Sequence, residues 1–245
     1  MARRRRPPEP HAGDPDGAGG ADPDRRADHD ADPGPHIDPD LPAGDLEGWL
    51  QQLRDALRGE GDAAVPCAGC TACCTSSQFV LIGPDEADTL AHVPAALRFP
   101  APGLPAGHVV LGYDDQGRCP MLVDGACSIY EHRPRTCRTY DCRVFAASGL
   151  PLDEPAKVAI RDRANRWRFT VDGDAARDAA ASVRAAARLL RDQPEVLDDT
   201  PIPAATTQLA VLAVEVHHLF RNGRRPTPDA VREAILATVA NQPNR

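Results

Sequence analysis

Aromatic residues make up only 4% of this 245-residue chain. A core built from it is aliphatic and rich in alanine, so packing alone gives a small domain little to rest on and further ties are expected. Lysine is nearly missing, with Lys157 the single one. There is no excess of positive charge. The net charge is −8, and residues 1–45 alone carry six basic against eleven acidic side chains. That balance excludes the broad basic field that draws nucleic acid, so no nucleic-acid partner is expected. No apolar run approaches the roughly 20 residues of a membrane span. The arginines Arg3 to Arg6 are followed by Pro7, Pro8, Glu9 and Pro10, not by the roughly 7–15 apolar residues of an export signal. A cytoplasmic location without a membrane partner is therefore expected, where thiols stay reduced. A Gly-x-Gly-x-x-Gly loop for a nucleotide cofactor is also missing.

Residues 1–44 are rich in Pro, Gly, Asp and Ala, with almost no large apolar residue before Ile37. Such a segment buries too little surface to offset the entropy of ordering, and a disordered tail is expected. Asp45 is placed to cap a helix whose apolar face runs through Leu46, Trp49, Leu50, Leu53 and Leu57. Trp49 is read as core. Gln78–Ile82 reads as a strand, Asp85-Glu86 as a helix start, 93–107 as loop and 108–113 as a second strand. Asp124-Gly125 between two short apolar runs is a hairpin signal. Arg133-Pro134 opens a turn or short helix. Helices are expected near 154–169, 174–192, 204–221 and 228–240, the last with Thr227 as cap and Pro228 at its first position.

Eight cysteines fall between residues 67 and 142, and none outside. The first group is Cys67, Cys70, Cys73 and Cys74; the second is Cys119, Cys127, Cys137 and Cys142. Two-residue gaps let tight turns present several sulfurs to one ion, which is the spacing of zinc sites and of iron–sulfur clusters. A disulfide framework also suits an even count, but the reducing compartment expected here speaks against it. A third reading is a partial site, since side chains of adjacent Cys73 and Cys74 point apart and need not share an ion. At least one site drawing on both groups is expected, because it frees Cys73 and Cys74 from crowding one tetrahedron. Four thiolates around zinc leave a formal charge near −2, and some of Arg133, Arg135, Arg138 and Arg143 are read as offsetting it.

With these residues the chain resembles the YkgJ-type cysteine-cluster family, described as zinc- or iron-chelating. The resemblance rests on the Cys67 to Cys74 group, Cys119-Pro120, Cys127 with Ser128-Ile129-Tyr130, Arg133-Pro134, Cys137-Arg138 and Cys142, over roughly 64–150. It implies metal ligation by all eight cysteines, with Zn2+ or Fe as the cofactor. Flagellin lysine N-methylases carry a similar cluster, which implies a 4Fe-4S cluster as an alternative, with a redox or methyl-transfer role. The chain lacks the Cys-x-x-x-Cys-x-x-Cys run of radical S-adenosylmethionine enzymes.

Other candidates are weaker. His132, His92 and His108 lie near the cluster and are candidates for a ninth ligand or a base. His217 and His218 sit on a late helix and are read as structural. Asp85, Glu86 and Asp88 are read as charge stabilisation of a helix start. Arg161, Arg163, Arg166 and Arg168 around Trp167 are read as a solvated surface. The whole is expected to be α+β: a disordered tail (1–44), a small irregular cysteine-rich metal domain with a leading helix and a short hairpin (45–150), and an α-helical extension (151–245). The expected function is metal binding without catalysis, the metal being structural or cargo. The partner is the ion, together with a protein partner that the sequence does not identify.

Overall fold

The computed structural model of the chain describes residues 39–240, except residues 64, 66–68 and 199. The tail expected over 1–44 lies outside the described residues as far as residue 38. Its end is corrected: Leu41–Asp45 forms a strand, β1. Asp45 then caps α1 (Leu46–Leu57), its carboxylate accepting from the Gly48 N–H at 2.7 Å. Apolar residues at helical spacing put Leu46, Trp49, Leu50, Leu53 and Ala56 on one buried face.

Next come β2 (Val80–Ile82), α2 (Ala87–His92), β3 (Arg98–Pro100) and β4 (Val109–Leu111). β4 lies in the middle of a three-stranded antiparallel sheet, with Val110 opposite both Leu81 and Phe99. β3 falls in the stretch read as loop. Its proline hid it, yet Pro100 is tolerated because β3 is an edge strand. β5 (Leu122–Val123) and β6 (Ala126–Cys127) form the expected hairpin. Asp124 and Gly125 have φ of 49° and 76°, the two positive values that a tight primed turn demands.

The short helices α3 (Arg135–Thr139) and α4 (Arg143–Ser148) follow. Beyond them lie α5 (Val158–Ala164), β7 (Trp167–Thr170), α6 (Gly173–Asp192), α7 (Thr206–Val216) and α8 (Pro228–Ala240). The single helix expected over 154–169 is thus corrected. It stops at Ala164, and Trp167–Thr170 pairs in parallel with β1, Leu41 opposite Trp167 and Asp45 opposite Thr170. Four alternating residues are too short a pattern to stand out beside the helical residues before them. The start of α8 is as read, with the Thr227 hydroxyl accepting from the Ala230 N–H at 3.3 Å.

The mixture of helices with small sheets is α+β. Two apolar clusters form its interior. The larger collects α1, α4, α5, α6, α7 and α8, with Cys142 inside it. The smaller joins Val80, Ile82, Val93, Leu111, Met121 and Ile129, with Cys119, Cys127 and Cys137 packed against it. This division does not follow residue 150: Trp49, Val144 and Phe145 belong with the late helices.

Residues 141–143 tie the parts together. Asp141, almost wholly buried, accepts from the Trp49 Nε1–H of α1 at 2.7 Å and from the Arg143 guanidinium at 2.7 Å. Arg143 also donates to the Ala43 carbonyl of β1 at 3.0 Å. Between them, the Cys142 sulfur accepts from the Trp167 Nε1–H of β7 at 3.1 Å. Removing the Asp141 carboxylate breaks a buried ion pair. Asp141→Ala is expected to destabilise the fold by about 3–5 kcal/mol, read as a lower urea midpoint with an unchanged slope. A shift below about 1 kcal/mol would show that water reaches Arg143 freely.

Candidate metal centre

Backbone pairing brings the two cysteine groups together. The Cys119 N–H donates to the Cys74 carbonyl at 2.7 Å, and the Ser77 N–H to the Gly117 carbonyl at 2.9 Å. The exit of the first group is thereby zipped to the entry of the hairpin. Cys73 and Cys74 lie in a short 3-10 turn, Cys73–Thr75. The helix α3, which carries Cys137, is docked on β2 by the Thr136 hydroxyl donating to the Leu81 carbonyl at 2.8 Å.

The acidic residues before α2 hold α3 from the other side, and their reading as helix-start charges is corrected. Glu86 is buried and accepts from the Gly83 N–H at 2.8 Å with one oxygen. Its other oxygen accepts from the N–H of Arg135, the first residue of α3. A carboxylate distant in sequence thus takes up an N–H that α3 leaves open. Asp85 pairs with the Arg135 guanidinium at 2.6 Å, which holds its carboxyl below the usual range.

The seven described cysteines all line one cavity of about 270 Å³, shared with Phe79, Met121, Tyr130, Tyr140 and Trp167. Cys67 lies outside the described residues. The seven are not equivalent. Burial pushes the Cys137 thiol up to about 12, and the neighbouring thiols Cys119, Cys74 and Cys127 push in the same direction. Burial likewise raises Cys119, with Cys127 adding to it. Cys119, Cys127 and Cys137 lie at the edge of the smaller core. Cys73 and Cys142 belong to the larger core. They flank Tyr140, whose phenol is pushed upward by burial and then by these two thiols.

The donor set fits a thiophilic metal, because buried sulfurs that repel one another's charge gain most from a cation between them. The spacing is open. Zn–S bonds near 2.3 Å put tetrahedral sulfurs about 3.8 Å apart, whereas no three cysteine sulfurs among the described residues lie within 4.8 Å of one another.

The four nearby arginines divide. Arg135 and Arg138 pair with Asp85 and Asp62, and Arg143 with Asp141. Arg133 lines the cavity, lies over the Tyr130 ring at 3.6 Å and lowers the Cys137 thiol's pKa. Trp167 is buried and holds a cysteine sulfur, so the stretch around it is not simply a solvated surface. An indole with a single N–H to satisfy was the one signal for that role. His217 is buried, with burial lowering its pKa, and His218 is exposed; both contact backbone carbonyls through Nδ1. His108 is half-buried and contacts the Pro105 carbonyl. His92 and His132 come together with Asp88, and no cysteine joins that group.

Residues 66–154 match the family model CxxCxxCC, whose description reads "Putative zinc- or iron-chelating domain". The matched stretch takes in all eight cysteines, β2 to β6, α3 and α4. No curated protein and no solved structure matches the chain.

Because Glu86 answers two N–H groups in a buried position, its loss reaches the cysteine framework. Glu86→Ala is expected to cost about 1–3 kcal/mol. Glu86→Gln, which keeps acceptors of the same shape, should cost less. Hydrogen exchange at the Arg135 amide checks this, and protection equal to that of the unaltered chain would refute the cap.

Proposed function

We propose that this chain is a non-catalytic metal-binding protein whose cysteines hold zinc or iron in two neighbouring thiolate sets, with the metal structural or as cargo. One set is Cys74, Cys119, Cys127 and Cys137. The other contains Cys73 and Cys142, completed by Cys70 and Cys67. The observation that carries the reading is that the seven described cysteines line one cavity, with Cys73 and Cys142 packed in the larger core and Cys119, Cys127 and Cys137 against the smaller one. The match of residues 66–154 to a zinc- or iron-chelating domain supports it. The chemistry supplied by the chain is deprotonation of buried thiols against the cation, so loading releases protons. Arg133 offsets part of the remaining negative charge.

A second reading is an iron–sulfur protein with a redox or methyl-transfer role. The open sulfur spacing favours it, since a cluster places iron and sulfide between the thiolates and spans more room than one ion. The charge and the ligand set serve both readings.

Anaerobic purification of the full chain, followed by elemental analysis and a visible spectrum, separates them. Zinc or iron without sulfide, in colourless or weakly coloured protein, is expected from the first reading. Acid-labile sulfide with a brown colour belongs to the second. Protein that stays metal-free and takes up neither Zn2+ nor Fe2+ would overturn both. The division into sets is tested by serine exchanges. Cys74→Ser and Cys137→Ser should each remove the same share of metal, and the two together no more than either alone. Cys73→Ser and Cys74→Ser should remove different shares that add. If the Cys73 and Cys74 losses coincide, the two-set arrangement is wrong.

A further inference from the structure

The chelating stretch ends at residue 154, but the cavity that holds its cysteines is also lined by residues beyond it, Ile160 and Arg163 of α5 and Trp167 of β7. Trp167 reaches a cysteine directly: its Nε1–H donates to the Cys142 sulfur at 3.1 Å. The indole is held from outside the cysteine segment. Trp167 pairs with Leu41 of β1, the Arg163 guanidinium lies over its ring at 5.0 Å, and only 3% of the residue is exposed. The donor is therefore in place without help from a metal.

An indole has one N–H to give, and in a buried position it needs an acceptor. The chain holds two tryptophans, and they choose differently. Trp49 gives its N–H to the Asp141 carboxylate at 2.7 Å, and Trp167 gives its own to the sulfur of the next residue. A thiol is a weak acceptor, whereas a thiolate is charged, and a charged partner makes the hydrogen bond roughly twice as strong. A thiolate that binds a metal through one lone pair keeps others for an N–H. Hydrogen bonds of this kind hold ligands in orientation and set how firmly a site keeps its metal.

We propose that Trp167 is a positioning residue of the metal centre, its indole N–H holding the Cys142 thiolate in place when that sulfur ligates the metal. The inference rests on the reading of Cys142 as a ligand. Loading strengthens the contact, because the N–H that meets a weak acceptor in the thiol meets a charged one in the thiolate. β7, and through it β1, thereby belongs to the surroundings of the metal, although both strands lie outside the chelating stretch.

Titration of the isotope-labelled full chain with Cd2+, a thiophilic stand-in for zinc, under anaerobic reducing conditions tests this. The two tryptophans give two indole N–H signals in a nitrogen–proton spectrum, which Trp49→Phe or Trp167→Phe assigns. The Trp167 signal should shift downfield as Cd2+ is taken up, and with a spin-active cadmium isotope it should split across the hydrogen bond. The Trp49 signal, whose acceptor is a carboxylate, should move less. Trp167→Phe should also weaken retention of the metal against a chelator by about 10–100-fold, in protein that circular dichroism shows to be folded. Should that variant fail to fold, the signals of the unaltered chain decide. A Trp167 signal that stays in place while Cd2+ binds, or unchanged retention in folded Trp167→Phe, overturns the role of Trp167 and leaves the thiolate reading standing. A chain that takes up no Cd2+ overturns both.

Discussion

An ionised carboxylate inside a protein persists only where its oxygens are answered, and the answers to Asp141 come from separate parts of the chain. Trp49 reaches it from α1, and Arg143 clasps it while holding the Ala43 carbonyl of β1. With residues 141 and 143 pinned, Cys142 is directed to Trp167 on β7. The arrangement of late helices, leading helix and cysteine segment depends on this three-residue junction. It also explains why the last cysteine lies in the larger core although the other cysteines of its group border the smaller one.

The second constraint is the desolvation of sulfur. Thiols packed at the edge of an apolar cluster resist ionisation, as Cys137 does most clearly. Such a group stays protonated and inert unless a cation compensates the charge. A cation spanning residues distant in sequence would also close long loops and stabilise the fold through the unfolded state. A chain with so few aromatics has reason to rely on that closure. The support around the cysteines is correspondingly rigid: Glu86 caps α3, Thr136 docks it on β2, and the Cys74 carbonyl holds the Cys119 amide.

Surface and interior differ in the contacts they hold. Sulfur donors line a largely apolar cavity, where a bound ion is shielded from water and from exchange. Imidazole and carboxylate meet on the exposed side of α2, His132 Nδ1 lying 2.9 Å from the Asp88 carboxylate. The acidic side chains at α2 all reach toward residues 132–135. The sequence around Arg133-Pro134 therefore has one face toward the thiols and another toward α2. No helix among the described residues is long and apolar enough to cross a membrane.

Local features of the chain were legible in its sequence. The Asp45 cap, the apolar face of α1, the Asp124-Gly125 hairpin and the Thr227-Pro228 start of α8 depend on residues within a few positions of one another. So does the clustering of cysteines at two-residue gaps, and with it the chelating character of the segment. What tertiary structure alone decided depends on partners far apart in the chain. β1 and β7 are each too short to announce themselves, and they exist because they pair. β3 needs β4 beside it. Glu86 reads as a helix-start charge until α3 arrives to take it, and Asp88, in the first turn of α2, meets His132 only in the folded chain. The separation of Cys142 from Cys119, Cys127 and Cys137 is of the same kind: cysteines of one group meet different apolar surfaces, each assembled from residues distant in the chain.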